Sequence, residues 1–460
     1  MSSLLLKIYS KMPVHVQNFG ISLFGIKWYN RRFGGIYRQE LNKYLQRERF
    51  SDAEWKHYKN GKLRALLKHA YENVPYYNDL FNSNKIKHNQ IELNNLNIIP
   101  FLEKQTLRVY GQTQLISKLK EPRGEFFSSS GSTGTPTQIL ISSLMHQRYA
   151  AAHESRCRAW AGVNNKSPRG MIGGRKVLTG SNEGPPFHRF NIIEKQVYFS
   201  AYHISSINTY NYVKAMYKHN IEYMTGYAVS NYLLALNIKQ QKIKAPKLKA
   251  VITSSEKLTS EMRNVMEEVY QCKVFDGWSG VEACAMVTEC EYGNLHISED
   301  VGIIEILDEH GNEVSEGESG EVVCTGFLNY DQPLIRYRIG DRMTKGTDKC
   351  SCGRNMPIIK EIDGRIEDVV TGPDGRKMVR FHSVFIGIPS IEFAQVIQEE
   401  IDYILIKIQN EIKLTDKEIE LIKYRVLSQL GDVKIDIHQQ TKIEQKNGKY
   451  KAVISKLKYF

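Results

Sequence analysis

Residues Phe126–Gln138 read FFSSSGSTGTPTQ, and the rest of the chain is understood outward from this run. Ser128, Ser129, Ser130, Gly131, Ser132, Thr133, Gly134 and Thr135 stand together, and Pro136 closes the group. Glycine lets a backbone turn tightly and come close to a ligand. Exposed amides and hydroxyls then offer donors to phosphate oxygens. No acidic side chain lies in the run to repel an anion. The Gly-Lys-Ser/Thr ending of a Walker A loop is missing, which argues against an ordinary P-loop hydrolase. Composition alone describes a Ser/Gly linker equally well. Against the linker stands Ile139-Leu140-Ile141, which reads as a strand immediately after the run.

From about residue 125 to 330, short apolar strands alternate with helical segments. Ala250-Val251-Ile252-Thr253, a helix over Ser260–Tyr270 and Lys273-Val274-Phe275 form one such unit. This alternation predicts an α/β sheet packed by helices. Gly302–Thr325 changes character to a hairpin that turns at Glu309-His310-Gly311-Asn312, so a β-rich subdomain is expected there. Residues 1 to about 120 read as mostly helical, with GKLRALLKHAYENVPYY (Gly61–Tyr77) ending before Pro75. Asp363-Gly364-Arg365 looks like a boundary. Beyond it lies a small α+β region with a helix near Asp416 to Gln429. The expected organisation is a helical N-terminal region of the large domain (1–120), a core with its β-rich subdomain (121–363) and a small mobile C-terminal lid (364–460).

A chain of 460 residues, 41% of them hydrophobic, is long enough for two or more domains with a large core. No apolar window reaches transmembrane length. The start, MSSLLLKIYSKM, is broken by Lys7 and has no small-residue cleavage site, so it makes a poor signal peptide. Seven cysteines, an odd number, then point to a reducing cytoplasm. A net charge of +13 suits a polyanionic ligand, an anionic membrane surface or nucleic acid. The basic residues are spread along the chain without a nucleic-acid motif, so no nucleic-acid partner is expected. Trp28, Tyr29, Arg31, Arg32, Phe33 and Tyr37 read either as a membrane-surface patch or as the outside of a helical layer.

Further polar groups stand behind predicted strands. Thr253-Ser254-Ser255-Glu256 follows one strand, and strand ends are where nucleotides sit in α/β folds. Asp276-Gly277-Trp278-Ser279-Gly280-Val281-Glu282 follows the next. There Glu282 is suited either to a magnesium ion bridging phosphates or to a helix start. In PLIRYRIGD (Pro333–Asp341), the carboxylate of Asp341 can accept from both ribose hydroxyls, and the arginines can neutralise phosphate. The alternative there is a turn residue beside a structural arginine pair. DGRIED (Asp363–Asp368) marks the boundary, and Asn447-Gly448-Lys449-Tyr450-Lys451 presents a lysine on a turn.

The order SSSGSTGTPT, PLIRYRIGD, DGRIED resembles the adenylate-forming enzyme superfamily. The branch is that of the phenylacetate–coenzyme A ligases, especially the members associated with capsular polysaccharide biosynthesis. KLRALLKHAYENVPYYNDLF and IPFLEKQTLR extend the resemblance over nearly the whole chain. It implies two steps with ATP and Mg2+: a carboxylic acid becomes an acyl-adenylate, and an amine or thiol acceptor then displaces AMP. By motif, Ser129, Ser130, Gly131, Ser132, Thr133 and Gly134 would hold the β- and γ-phosphates. Glu282 would ligate magnesium, Ser255 and Glu256 would lie near the adenine, and Asp341 would bind the ribose. Arg365 would touch ribose or phosphate, Glu367 or Asp368 would mark the hinge, and Lys449 would reach the carboxylate and the α-phosphate. A mobile lysine and a metal both offset the charge gathered on phosphate. Tyr202, His203, Tyr227 and Trp278 would line the acyl pocket, His203 either orienting a polar substrate or serving as a structural histidine.

The branch's Tyr-Gly-x-Thr/Ser-Glu motif is here Trp278-Ser279-Gly280-Val281-Glu282, so Val281 lacks a hydroxyl and Trp278 replaces tyrosine. Cys350 and Cys352 stand one residue apart on an expected turn, with Cys290 and His296 upstream. A Cys3His set suits tetrahedral zinc, and relatives of this branch carry a similar cluster with zinc. Four unrelated side chains are the plain alternative. Amide ligation in a cell-surface polysaccharide pathway is the leading expectation, and coenzyme A thioester formation is the second. A third is a non-catalytic, membrane-associated scaffold with a degenerate nucleotide site. The expected location is cytoplasmic, with a peripheral position at the inner face of the membrane and contact with polysaccharide-synthesis machinery left open.

Overall fold

The computed structural model describes residues 9, 12–121, 124–128, 137–174, 177, 184–347, 350–363, 370–378, 381–385, 388, 390–391, 393–410, 412–440 and 453–457. The N-terminal region is helical as expected. Its first long helix, α1 (Val14–Phe33), is followed by α2 (Tyr37–Arg47), α3 (Asp52–Asn73) and α4 (Pro75–Ser83). The helix expected from Gly61 begins earlier, at Asp52. Ser51 and Glu54 form a reciprocal capping box there, and each satisfies an amide that would otherwise lack a partner. Pro75 ends that helix and opens the next at its first position, where a missing N–H costs nothing.

The centre is one sheet of twelve strands. Its parallel part is β3 (Arg169–Gly173), β5 (Gln196–Ser200), β6 (Tyr223–Tyr227), β7 (Ala250–Ser254) and β8 (Lys273–Trp278). A short antiparallel strand, β4 (His188–Asn191), closes that edge. Beyond β8 the sheet runs through antiparallel β9 (Val287–Glu289), β10 (Leu295–Ile297), β14 (Ile358–Ile362), β13 (Tyr337–Lys345), β12 (Ser319–Gly326) and β11 (Gly302–Leu307). The expected β-rich subdomain is therefore joined edge-on to the parallel sheet, because β9 pairs with β8 through Gly277–Thr288 and Trp278–Val287. A separate hairpin, β1 (Glu125–Ser128) and β2 (Gln138–Ile141), carries the Ser/Gly run between its strands.

Towards the C-terminus, a short hairpin of β15 (Val370–Thr371) and β16 (Lys377–Met378) comes first. Then β17 (Phe393–Glu400), β18 (Tyr403–Gln409), β19 (Lys434–Gln440) and β20 (Val453–Ser455) make a four-stranded sheet of order β19-β18-β17-β20. The helix Asp416–Leu430 starts on a Thr415/Glu418 capping box. Its Ile422, Val426 and Leu430 meet Val396, Ile404, Ile406 and Ile408 in a core of their own. Tyr202 of the large region joins that core. Of the expected boundary Asp363-Gly364-Arg365, Asp363 ends a described stretch, and Gly364 and Arg365 lie outside the described residues.

The two arginines of PLIRYRIGD turn out to serve the fold. Arg336 is buried and donates to both carboxylate oxygens of Glu305 and to the carbonyls of Asn97 and Ile99. Its guanidinium lies 4.3 Å from the centre of the Phe101 ring, and Arg338 stands at the same distance. Arg338 also pairs with Glu103 and Glu321. The pair thus clasps the N-terminal region to the antiparallel half of the sheet, which accounts for both charges without a phosphate. Removing one partner of a buried pair leaves the other charge uncompensated. Arg336→Ala is therefore expected to lose about 3–5 kcal/mol of unfolding free energy, read as a lower urea midpoint. An unchanged midpoint would remove Arg336 from this role.

Candidate active site

The two strands of the β1–β2 hairpin set Ser128 opposite Gln138, whose amide donates to the Ser128 hydroxyl at 2.8 Å. Ser129, Ser130, Gly131, Ser132, Thr133 and Gly134 lie outside the described residues. Thr137, where the loop returns, is buried, and its hydroxyl donates to Glu282 Oε1 at 3.4 Å. Thr137 and the expected magnesium ligand are thus neighbours in space, 145 residues apart in the chain. A Cβ on Gly280 would collide with the second Glu282 oxygen, so glycine there leaves room for the carboxylate. Thr137 supplies a hydroxyl beside Glu282 although Val281 brings none. In the sequence Thr137 is marked only as the residue that ends the loop in place of lysine, with no role toward Glu282.

The ends of β7 and β8 carry the next residues. Ser255 follows β7 with φ +73°, a left-handed conformation that a non-glycine residue adopts at a cost. The next residue, Glu256, accepts from the amide of Val229 at 2.9 Å, at the start of the helix Ala228–Gln240. An anion there is favoured by the helix dipole. Trp278 ends β8, and its indole N–H donates to Asp341 Oδ2 at 3.0 Å. Its indole N–H is thus engaged by the expected ribose ligand. Glu282 and Asp341 both act on the buried Cys324 thiol, which burial first of all pushes well up.

On the other side, Tyr202 donates to the carbonyl of Gly174 at 3.2 Å, and a Cβ on Gly174 would run into the Tyr227 hydroxyl. Tyr202 and Tyr227 therefore converge on one glycine. The ring of His203 stacks on Phe187 at 5.1 Å, and its Nδ1 shares a hydrogen with the Ser200 hydroxyl at 2.7 Å. His203, Ser205 and Asn208 face Asp374, Gly375 and Arg376 across a cavity of about 200 Å3. Arg365, Glu367, Asp368 and Lys449 fall outside the described residues.

Cys290, His296, Cys350 and Cys352 come together, with their ligand atoms all within 4.8 Å of one another. Cys290 Sγ and Cys350 Sγ are 3.7 Å apart, and Cys352 Sγ is 3.4 Å from His296 Nε2. Tetrahedral Zn–S bonds of ~2.3 Å set sulfur atoms ~3.8 Å apart, so the donor set fits zinc. His296 turns Nε2 inward because its Nδ1 bonds the Met356 carbonyl at 3.0 Å, an arrangement that fixes a ligand's ring. Burial also lowers the His296 pKa, favouring the neutral ring a metal needs. Backbone amides of Tyr292 and Cys352 donate to Cys290 and Cys350, which suits thiolate charge.

No family model matches the chain. Among solved structures, 2-hydroxyisobutyryl-CoA ligase with 2-HIB-AMP and CoA, in its thioesterification state, aligns at TM-score 0.59 and 18% identity. That alignment covers 89% of this chain and 91% of the ligase. An open conformation of the same ligase gives 0.56 at 20% identity, over 89% of this chain and 93% of that one. The fold is that of the adenylate-forming ligases. Among curated proteins, the chain is similar to protein CapK of Staphylococcus aureus, with 25% identity over 442 residues, 92% of this chain and 93% of CapK. It is also similar to the phenylacetate-coenzyme A ligases of Thermus thermophilus (24% over 325 residues) and Pseudomonas putida (28% over 326 residues). Each of those matches covers 67% of this chain and 70% of the ligase.

One titrating group sits directly beneath the site. Burial, then the neighbouring Glu289 carboxylate, pushes Asp276 up to about 7, against hydrogen bonds from Thr253 and Gly277 and the charge of Arg263. The folded protein therefore keeps a proton that the unfolded chain releases near its ordinary 3.8. Stability falls as pH rises between those values and stays lower above them. Asp276→Asn is expected to raise stability by roughly 1–3 kcal/mol near pH 8, with the gain vanishing near pH 3. Thermal melts across pH test this, and a gain independent of pH would refute it.

Proposed function

We propose that this chain activates a small carboxylic acid as its acyl-adenylate and passes the acyl group to an amine, in assembly of capsular or other cell-surface polysaccharide. The observation that carries the reading is the end-to-end similarity to CapK, over 92% of the chain, where the coenzyme A ligases match about two thirds. In the first step a carboxylate oxygen attacks the α-phosphorus of ATP, and pyrophosphate leaves. In the second, the acceptor nitrogen attacks the acyl carbon, AMP leaves, and the amine loses a proton.

The residues divide the work by charge. Glu282, steadied by Thr137, would hold Mg2+, which offsets the negative charge of the phosphates. Asp341, oriented by Trp278, would accept from the ribose hydroxyls. Ser255 and Glu256 would stand near the adenine. Ser129, Ser130, Gly131, Ser132, Thr133 and Gly134 would wrap the β- and γ-phosphates, and Arg365 would touch ribose or phosphate. Lys449 would bring the α-phosphate and the acid together, with Glu367 or Asp368 as the hinge that moves it. Tyr202, His203, Tyr227 and Trp278 would face the acyl group. We also propose that Cys290, His296, Cys350 and Cys352 hold a structural zinc that joins the β9–β10 and β13–β14 connections.

A thioester product is the second reading, favoured by the curated phenylacetate-coenzyme A ligases. ATP–pyrophosphate exchange against a panel of acids tests the first step, and offering coenzyme A or amino sugars to the competent acid separates the two products. Exchange is expected with at least one acid and is expected to vanish in Lys449→Ala without loss of folding. Trp278→Phe should raise the KM for ATP by roughly tenfold while kcat changes less. No exchange with any acid, or an unchanged rate in Lys449→Ala, would defeat the assignment. Elemental analysis should find one zinc per chain, lost in Cys350→Ser/Cys352→Ser together with part of the thermal stability. Metal-free protein of undiminished stability would rule the zinc out.

A further inference from the structure

Helix α1 is polar on its inner side and apolar on its outer side, the reverse of what water selects. Its buried positions are Gln17, Ser22, Gly25 and Arg31. The reason is its seat along β4, an edge strand whose outward amides need partners. The amide of Phe190 donates to Asn18 Oδ1 at 3.0 Å, that of Ile192 to Ser22 Oγ at 3.2 Å, and Arg189 Nε to Gln17 Oε1 at 2.6 Å. A Cβ at Gly25 would strike Asn191. Capping the sheet edge therefore uses the polar face of the helix and leaves its apolar face outside.

That outer face is continuous. Val16, Phe19, Leu23 and Ile26 recur at helical spacing, with Phe24 beside them. Phe19 is 64% exposed, Leu23 52%, Phe24 48% and Ile26 44%. The patch that the sequence pointed to is a different one. Arg31 donates inward to the Ile141 carbonyl, Arg32 pairs with Glu194, and Tyr37 is buried, so those residues belong to the packing of the large region. The exposed Lys27, at the end of the outer face, stands 3.5 Å from Glu125. Residues 1–39 contain no Asp or Glu and carry Lys7, Lys11, Lys27, Arg31, Arg32 and Arg38, on a chain of net charge +13.

We propose that the outer face of α1 docks on an anionic lipid surface, with Phe19, Leu23 and Ile26 entering the headgroup–acyl boundary and the exposed Lys27, on a chain of net charge +13, facing the lipid charge. No helix among the described residues is long and apolar enough to cross a membrane, so the contact is one of lying on the surface. Charge complementarity favours lipid over a second copy of the chain, because two chains of net charge +13 repel each other. This inference stands apart from the ligase reading and does not depend on it.

The test is co-sedimentation of the full chain with vesicles of phosphatidylcholine alone or with ~30% phosphatidylglycerol. Wild type is expected to pellet with the anionic vesicles, less so as salt rises, and weakly with the neutral ones. Phe19→Ser/Leu23→Ser should weaken anionic binding by roughly tenfold or more while circular dichroism stays unchanged. As a second readout, Phe19→Trp should show a blue-shifted indole emission on adding anionic vesicles. Wild type left in the supernatant at low salt, equal binding by the serine variant, or an unshifted emission from the Phe19→Trp variant would overturn the proposal. A solution dimer that the serine variant splits, without lipid binding, would do the same and assign the face to a second copy.

Discussion

The structure turns on a change of direction between β8 and β9. On one side β8 pairs in parallel with β7, and on the other it pairs antiparallel with β9 through only two residue pairs. A parallel sheet presents all its strand ends on one side. The first antiparallel strand must leave from that same side, so the connection after Trp278 crosses the strand ends. Glu282 and Gly280 lie on that crossing, beside the ends of β6 and β7 that carry Tyr227, Ser255 and Glu256. Ligands settle at such points in open α/β sheets because the loops diverge there and leave a crevice. Trp278 spans the junction by bonding Asp341 on β13, so one indole ties the parallel half to the antiparallel half at the site itself.

Two further devices keep the halves in register. Arg336 and Arg338 enclose Phe101 and tether the N-terminal region to β11 and β12, which fixes the far side of the antiparallel strands. The Cys/His cluster gathers the ends of β9, β10 and the β13–β14 connection, close to the junction. Around it pack Trp55, Trp160 and Met356, so the cluster also bears on the N-terminal helices. At the opposite edge α1 closes β4 with side-chain hydrogen bonds. Each device satisfies a group that the sheet leaves unpaired or holds a loop that the sheet leaves loose.

Much of this was legible in the chain. The strand at Ala250, the helix over Ser260–Tyr270 and the strand at Lys273 stand where periodicity placed them, because each is short, strongly patterned and bounded by turn residues. The helix near Asp416 was legible through its apolar spacing, although its capping box marks the start more sharply. The gathering of Cys290, His296, Cys350 and Cys352 was one of two readings the sequence left open, raised by the resemblance to relatives that carry such a cluster. Other features were not legible. The arginines of PLIRYRIGD look like phosphate ligands in a linear reading, since nothing in their neighbourhood reveals Glu305 or Phe101 as their partners. The outward apolar face of α1 is equally hidden, since periodicity marks a stripe without saying which side is covered.

By itself the sequence determined the main elements, their order and a set of candidate polar groups at strand ends, because propensity, capping and hydrophobic period are local properties written into neighbouring residues. Only the tertiary structure decided which of those groups meet. Thr137 and Glu282, Trp278 and Asp341, and α1 and β4 are pairs formed by long loop closures. Whether a charge serves chemistry or packing, and whether an apolar face lies inside or outside, depends on what the folded chain places opposite it. That is set by the collective choice of sheet order, for which no single stretch of sequence carries the information.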